Sequence, residues 1–388
     1  MARDLSTALI HHPYQAPAGF AAPQPGVFKA STVLFKDVAA MRARDWRSRE
    51  GYTYGLHGTP TTMQLEERIA TLEGGRQCLL VPSGLAAVAL VDLALLAPGD
   101  ELLLPSNVYG PSRELARKEL ARFGISDRLY DPMDASALGK SITTTTKLVW
   151  IEAPGSVTME FPDVAALAGV ARERGVTTAL DNTWGAGLAL RGFEHGLDIV
   201  MQALTKYPSG GGDVLMGSVC TTDLALHERL KGTHMRLGLG VAGNDAEMLL
   251  RSLPSMALRY AAQDQAARHL ARWLQAQPQV ARVLHPALPG SLGHDHWARH
   301  CTQAAGIFSV LLQAHYTQTQ VDRFVDALKL FGIGHSWAGP MSLAVPYDLR
   351  AMRQGTELQG HLVRLCIGLE AVADLQSDLQ QALKSLAT

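Results

Sequence analysis

The sequence predicts an α/β protein with a mostly parallel central sheet and helices on both faces, followed by a smaller α+β domain. Three observations carry this expectation. Apolar runs of four to six residues recur from residue 78 to residue 219 without polar alternation. Such runs read as strands buried on both faces, as in a parallel sheet. Stretches long enough for crossover helices, such as 111–123 and 163–174, lie between them, and alternating strand and helix signals point to an α/β layer. Beyond residue 251 the rhythm changes to longer helices and fewer strand runs.

The elements follow in chain order. Residues 1–60 are irregular and rich in Pro, Gly, Ala and His, with Pro13, Pro17, Pro23 and Pro25. A segment of this kind has no core of its own, so it is expected to lie as an arm on another surface, such as a neighbouring subunit. Residues 61–250 form the large domain, with strand runs at 78–81, 101–105, 147–152, 177–181, 199–203 and 214–219. Residues 251–388 form the second domain. There 257–275 reads as a helix, 306–313 and 362–367 as strands. Val321, Phe324, Val325 and Leu328 recur at helical spacing, as do Val372, Leu375, Leu379, Leu383 and Leu386.

Composition narrows the function. Of 388 residues, 47% are hydrophobic and 18% charged, as in a globular protein that buries a large core. The formal net charge of −1 leaves no basic excess to neutralise phosphates along a nucleic acid. The four cysteines are widely spaced, and residues 1–6 begin no apolar leader, so a reduced, cytoplasmic protein is expected. The longest apolar stretch, 85–97, contains Asp92 and is too short to span a bilayer.

Lys206 is the first candidate for chemistry. It follows the run 199–204, and sites in open parallel sheets lie at the carboxyl ends of strands. A partly desolvated amine there loses its proton readily and attacks aldehydes. By position alone a surface lysine fits as well. Asp181, which ends the run 177–181, shifts the balance. A carboxylate beside an imine-forming lysine is what pyridoxal phosphate needs to keep its ring nitrogen protonated; the bland alternative is a turn or cap residue. Pro82-Ser-Gly-Leu-Ala-Ala87 opens a helical stretch whose free N–H groups suit a phosphate, with Gly84 allowing close approach. Thr205 adds a hydroxyl nearby. Arg364 sits in an otherwise apolar strand, where it pairs with a protein acid or clamps a substrate carboxylate. Gly238-Leu-Gly-Val-Ala-Gly243 matches the dinucleotide fingerprint, but a polar, basic stretch precedes it where the fingerprint needs a buried strand. His294, His296 and His300 read as a solvated loop, and no metal is expected.

Lined up, these residues resemble the Cys/Met metabolism enzymes, the γ-family of fold-type-I pyridoxal-phosphate enzymes, over nearly the whole chain. The carrying segments are Tyr54-Gly-Leu-His-Gly-Thr-Pro-Thr, Pro82-Ser-Gly-Leu-Ala-Ala, Ser106-Asn-Val-Tyr109, Glu152-Ala-Pro-Gly-Ser-Val-Thr-Met-Glu160, Asp181-Asn-Thr-Trp-Gly-Ala, Gln202-Ala-Leu-Thr-Lys206-Tyr, His335-Ser-Trp-Ala-Gly and Arg364-Leu-Cys-Ile-Gly-Leu-Glu370. The resemblance implies the fold-type-I transferase fold and a homotetramer of two catalytic dimers. It implies that Lys206 carries the cofactor and moves protons, and that Asp181 faces the pyridine nitrogen. By the same resemblance, Tyr109 would stack on the ring and be the second catalytic group. Gly84, Leu85 and Thr205 cradle the phosphate, and Tyr54 reaches that phosphate from the adjacent subunit. Ser336, Trp337 and Arg364 hold the substrate. Pro-Gly-Ser-x-Thr-Met-Glu and Ser-Trp-x-Gly tilt towards the bacterial β-lyase branch, hence towards α,β-elimination of L-cystathionine in methionine metabolism. Cysteine or cystine desulfhydration, or an O-acetylhomoserine sulfhydrylase, are alternatives on the same scaffold; a lyase-like regulatory binding protein is the non-enzymatic one.

Three departures stand out. Leu56 replaces the arginine of the usual Tyr-x-Arg. His335 stands where β-lyases carry tyrosine. Gly210-Gly-Gly-Asp213 replaces Gly-His-Ser-Asp after the lysine.

Overall fold

The computed structural model describes residues 4–14, 16–47, 51–349, 358 and 360–387. The larger sheet contains β1 (Gln77–Val81), β2 (Glu101–Pro105), β3 (Ser126–Tyr130), β4 (Thr146–Glu152), β5 (Thr177–Asp181), β6 (Ile199–Gln202) and β7 (Gly217–Thr221). Their spatial order is β1-β7-β6-β5-β4-β2-β3. From β3 to β6 neighbours are parallel, while β7 runs antiparallel to both β1 and β6.

The apolar runs lack alternation because both faces are covered. Successive strand side chains point to opposite faces. Leu103, Val149, Ile151, Leu180 and Val200 join the core beneath helices Pro60–Glu73 and Val164–Glu173. Leu102, Leu104, Leu148, Trp150, Ala179 and Met201 join the core beneath helices Gly84–Leu95 and Leu224–Leu237. Caps set the helix starts: Ser83, Asp163 and Asp223 each accept an N–H of the first turn. Thr59 and Thr62 cap reciprocally, with Pro60 at the first helical position.

Helix Gly84–Leu95 buries Asp92, whose Oδ1 accepts the Trp150 indole N–H at 2.8 Å. Burial raises the Asp92 pKa from 3.8 to about 7. The folded state therefore holds this proton more tightly than the unfolded chain. Stability falls as pH climbs from about 4 to about 7, then levels off. Asp92→Asn keeps an acceptor for Trp150 and is expected to raise stability by about 1–3 kcal/mol at pH 8 and hardly at all at pH 4. Thermal melts at the two pH values check this; equal shifts at both would refute it.

The second sheet has the order β10-β11-β12-β9-β8. Its strands are β8 (Val280–Leu284), β9 (Ile307–Leu312), β10 (Gly332–Ile333), β11 (Leu343–Asp348) and β12 (His361–Cys366). Neighbours are antiparallel except β10 and β11. Only β9 and β12 are legible as apolar runs. β8 exposes Ala281 and Arg282, and β11 is interrupted by Pro346. Helices Gln318–Asp326 and Val372–Leu383 and the end of Gly243–Gln275 close the core over this sheet.

Four expectations change in detail. The helix expected at 257–275 begins at Gly243 and continues through Pro254. Ala246, Leu249, Leu250, Leu253 and Met256 bury one stripe on the large domain and hold it helical across the proline. The division at residue 250 falls inside this helix. The helix expected at 111–123 starts as α-helix Gly110–Glu114, widens to a π-turn over Leu115–Glu119 and tightens to 3₁₀ over Leu120–Phe123. The run 214–219 is a strand only from Gly217, where a Cβ would lie 2.3 Å from the Ser83 carbonyl oxygen. Residues His294–His300 form a short helix anchored by buried Trp297, not a loop. Asp163 meets His296, Arg299 and His300 at 3.4, 2.8 and 3.4 Å. The dinucleotide-like glycines follow helix Leu224–Leu237, with Gly238 as its left-handed cap at φ +66°, so no strand precedes them.

Candidate active site

β4, β5 and β6 end side by side, and Glu152, Asp181 and Gln202 are their last residues. A cavity of about 940 Å³ opens there, roofed by the segment after β10. It brings together Gly84, Leu85, Tyr109, Asp181, Thr205, Lys206, Ser336, Trp337 and Arg364. A larger groove beside it, about 1610 Å³, shares Leu85, Gly110 and Met159 but reaches none of Lys206, Asp181 or Arg364.

Lys206 lies four residues beyond β6, in the turn that carries the chain to β7. Its Nζ donates to Ser336 Oγ at 2.6 Å and stands 5.5 Å from the centre of the Trp337 ring. Burial, then the nearby Arg364 charge, lower its pKa to about 8. A useful fraction of the amine is therefore neutral near physiological pH. Asp181 receives both the backbone N–H and the hydroxyl of Thr183, at 2.9 and 2.5 Å. Burial raises its pKa; the Thr183 bonds and Lys206 oppose the rise. Thr183 also accepts the Ala203 N–H at 2.9 Å, which ties the ends of β5 and β6 together.

Tyr109 donates its backbone N–H to Glu152 Oε1 at 2.8 Å and presents a ring that is 46% exposed into the cavity. Its phenol pKa is raised by burial and then by Asp181, so the hydroxyl keeps its proton. Arg364, on β12, has no carboxylate partner among the described residues. Its Nη2 donates to the Ser336 carbonyl at 3.4 Å and its guanidinium lies 5.5 Å from the Tyr347 ring centre. Such an unmatched fork beside a cavity suits a carboxylate.

Over residues 6–384 the chain matches the model of the Cys/Met metabolism PLP-dependent enzymes. It belongs to that family. It is 38% identical to the cystathionine β-lyase of Bordetella avium, covering 100% of this chain and 99% of that one. It is 36% identical to the cystathionine β-lyase MetC of Escherichia coli, covering 90% and 91%. The crystal structure of metB from Corynebacterium glutamicum superimposes with a TM-score of 0.91 at 27% identity, covering 99% of this chain and 98% of that one.

The family's cofactor is pyridoxal phosphate, and the cavity residues fit it. The amine of Lys206, the carboxylate of Asp181 and the open ring of Tyr109 share one cavity. Ser83 takes the Ala86 N–H at 3.1 Å, so the N–H groups of Gly84 and Leu85 remain at the helix start for an anion. A Cβ on Gly84 would lie 2.7 Å from the Ala203 Cβ, so glycine alone lets the helix start this close to β6.

Two family residues lie differently from the rest. Thr205 Oγ1 donates to the Met216 carbonyl at 3.2 Å and accepts the Met216 N–H at 3.1 Å, bracing the lysine turn against the approach to β7. Tyr54 is outside the cavity of its own chain. It pairs with Thr32 as an isolated bridge and meets His57 edge-on at 5.8 Å. Leu56 and His57 line a separate small cleft with Lys231 and His234. Thr183, Glu152 and Tyr347 were not singled out from the sequence. Thr183 had a signal in its place two residues after Asp181; Tyr347 had none, because only the pairing of β11 with β12 sets it beside Arg364.

Proposed function

We propose that this chain is a pyridoxal-phosphate-dependent carbon–sulfur lyase that cleaves L-cystathionine by α,β-elimination, giving homocysteine, pyruvate and ammonia. The observation that carries the reading is a single cavity in which an amine of lowered pKa, a held carboxylate and an arginine with no carboxylate partner among the described residues converge. When bound, pyridoxal phosphate supplies an electron sink for the carbanion at the substrate Cα. Lys206 would carry the cofactor, Asp181 would face its ring nitrogen, Tyr109 would lie against its ring, and Gly84, Leu85 and Thr205 would hold its phosphate. Arg364 and Ser336 bind the substrate carboxylate, and Trp337 walls the site. Lys206 Nζ takes the Cα proton. The protonated Tyr109 hydroxyl, or Lys206, delivers a proton to the departing sulfur.

The test is 2-oxo acid and thiol release from L-cystathionine, L-cysteine, L-cystine, and O-acetylhomoserine with sulfide. Equal pyruvate and homocysteine from L-cystathionine, in excess over the other substrates, is the expected result. Product from O-acetylhomoserine without any 2-oxo acid would overturn it.

We further read residues 1–60 as an arm serving a second copy in a cytoplasmic homotetramer, with domains at 61–250 and 251–388. The arm exposes Phe20, Leu34, Val38 and Tyr54 by 66%, 90%, 57% and 46%, a sequence of apolar side chains that a partner surface would cover. All four cysteines are unpaired and buried, which suits a reducing compartment. Among the described residues no helix is long and apolar enough to cross a membrane. Tyr54→Phe is expected to weaken cofactor retention during dialysis while leaving thermal stability of the cofactor-free protein unchanged. Retention equal to that of the unaltered protein would remove Tyr54 from the phosphate site.

A further inference from the structure

The segment that presents Ser336 and Trp337 to Lys206 is held in a conformation its residues disfavour. Ser336 has φ +138° and Ala338 has φ +66°, and neither is glycine. Such backbone persists only where its surroundings over-determine it. Two buried polar side chains outside the proposed catalytic set reach this segment. Gln263, 1% exposed on helix Gly243–Gln275, donates its Nε2 to the Gly339 carbonyl at 2.8 Å. Cys366, 1% exposed at the end of β12, accepts the Ala338 N–H on its sulfur at 3.3 Å. The two bonds grip consecutive residues, one from the long helix and one from the second sheet.

The same helix grips the other half of the site. Arg259 Nη1 donates to the Tyr207 carbonyl at 2.9 Å, and the Tyr260 ring packs tilted against the Tyr207 ring, with centroids 4.5 Å apart. Tyr207 follows Lys206 and meets Trp337 edge-on at 5.7 Å. Residues 259–263 thus set the lysine turn and the Ser336–Trp337 turn against each other.

We propose that Gln263 and Cys366 are positioning residues that clamp the Ser336–Gly339 turn and so fix Ser336 Oγ and the Trp337 ring over Lys206. The proposal rests on the reading of Lys206 as the reactive amine and Ser336 and Trp337 as substrate contacts. With the clamp intact, Trp337 and Ser336 keep water from the amine, in line with burial being the first cause of its lowered pKa. With either bond removed, the turn relaxes towards ordinary backbone angles, the ring moves, and the amine is better hydrated.

The test compares Gln263→Leu, Cys366→Ala and Cys366→Ser, each first shown to melt as a folded protein. In the cofactor-free protein, the pH profile of Lys206 modification by an amine-reactive reagent is followed by mass spectrometry. Gln263→Leu and Cys366→Ala are expected to move the midpoint of that profile upward by about one pH unit, as hydration of the ammonium returns. In the loaded enzyme the same variants are expected to raise KM for L-cystathionine about tenfold with a smaller change in kcat. Cys366→Ser, whose hydroxyl oxygen still accepts an N–H, is expected to restore both readouts. An unmoved Lys206 profile in both Gln263→Leu and Cys366→Ala overturns the clamp. So does a serine variant no better than alanine, which would make Cys366 a packing residue. Because the modification profile needs no turnover, it fails independently of the catalytic reading, which falls instead if Lys206→Ala still releases 2-oxo acid.

Discussion

Lys206→Ala is expected to lower pyruvate release from L-cystathionine by at least about 10⁴-fold, because in the proposed function one amine serves as cofactor attachment and as the group that moves the Cα proton. Loss of the absorbance of bound cofactor should accompany it. A residual rate within tenfold of the unaltered enzyme would sink the assignment. The same side chain has an effect on stability of opposite sign. Its pKa falls from 10.5 in a free chain to about 8 here, so the folded state resists protonation that the unfolded state accepts. That penalty is full below pH 8 and fades as pH rises towards 10.5. In the cofactor-free protein, Lys206→Met is therefore expected to gain about 1–3 kcal/mol at pH 7, with the gain shrinking by pH 10. Denaturant melts at the two pH values read it directly. Function and stability pull against each other at this residue, as expected where a charge is placed for chemistry.

Arg364→Ala is the second large effect. The guanidinium has no carboxylate partner among the described residues; it donates to the Ser336 carbonyl and lies over the Tyr347 ring. Removing it strips a charge-assisted contact from the substrate and leaves no buried acid behind. Loss of one partner of such a pair costs about 2–5 kcal/mol, so kcat/KM for L-cystathionine is expected to fall about 10²- to 10³-fold, mainly through KM. Arg364→Lys should recover only part, since an ammonium lacks the fork. Cofactor absorbance should be unaffected in both. A fall of less than threefold would remove Arg364 from substrate binding.

The cavity end of the large sheet is legible because its candidate residues are marked locally in sequence. The strands that end at the cavity announce themselves as apolar runs, and Asp181 ends one of them while Lys206 stands just beyond another. The edge strand β3, Ser126–Tyr130, alternates exposed and partly buried residues and gives no such run. A buried parallel strand tolerates few charges, so one placed at its carboxyl end stands out. The helix start proposed to hold the phosphate is legible for a similar reason: Ser83 and Gly84 mark it directly after β1. The smaller sheet was read less completely. β8 and β11 belong to a sheet with partly solvated positions, and exposed residues interrupt their patterns. The long helix is expected only from residue 257, beyond Pro254; packing on the large domain is what carries it helical through that proline.

By itself the sequence determined the α/β rhythm of the large domain, the family motifs, and the places of Asp181 at a strand end, of Lys206 just beyond one and of Arg364 within a strand. These follow from hydrophobic period and residue chemistry over a few neighbours. Tertiary structure alone decided what those charges face. Ser336 comes to Lys206 from 130 residues away, Tyr347 reaches Arg364 through strand pairing, and the amine's lowered pKa arises from burial beneath a turn that belongs to the other sheet. Desolvation and strand register are properties of the closed cavity. No local pattern encodes them, because the groups that exclude the water are distant in the chain.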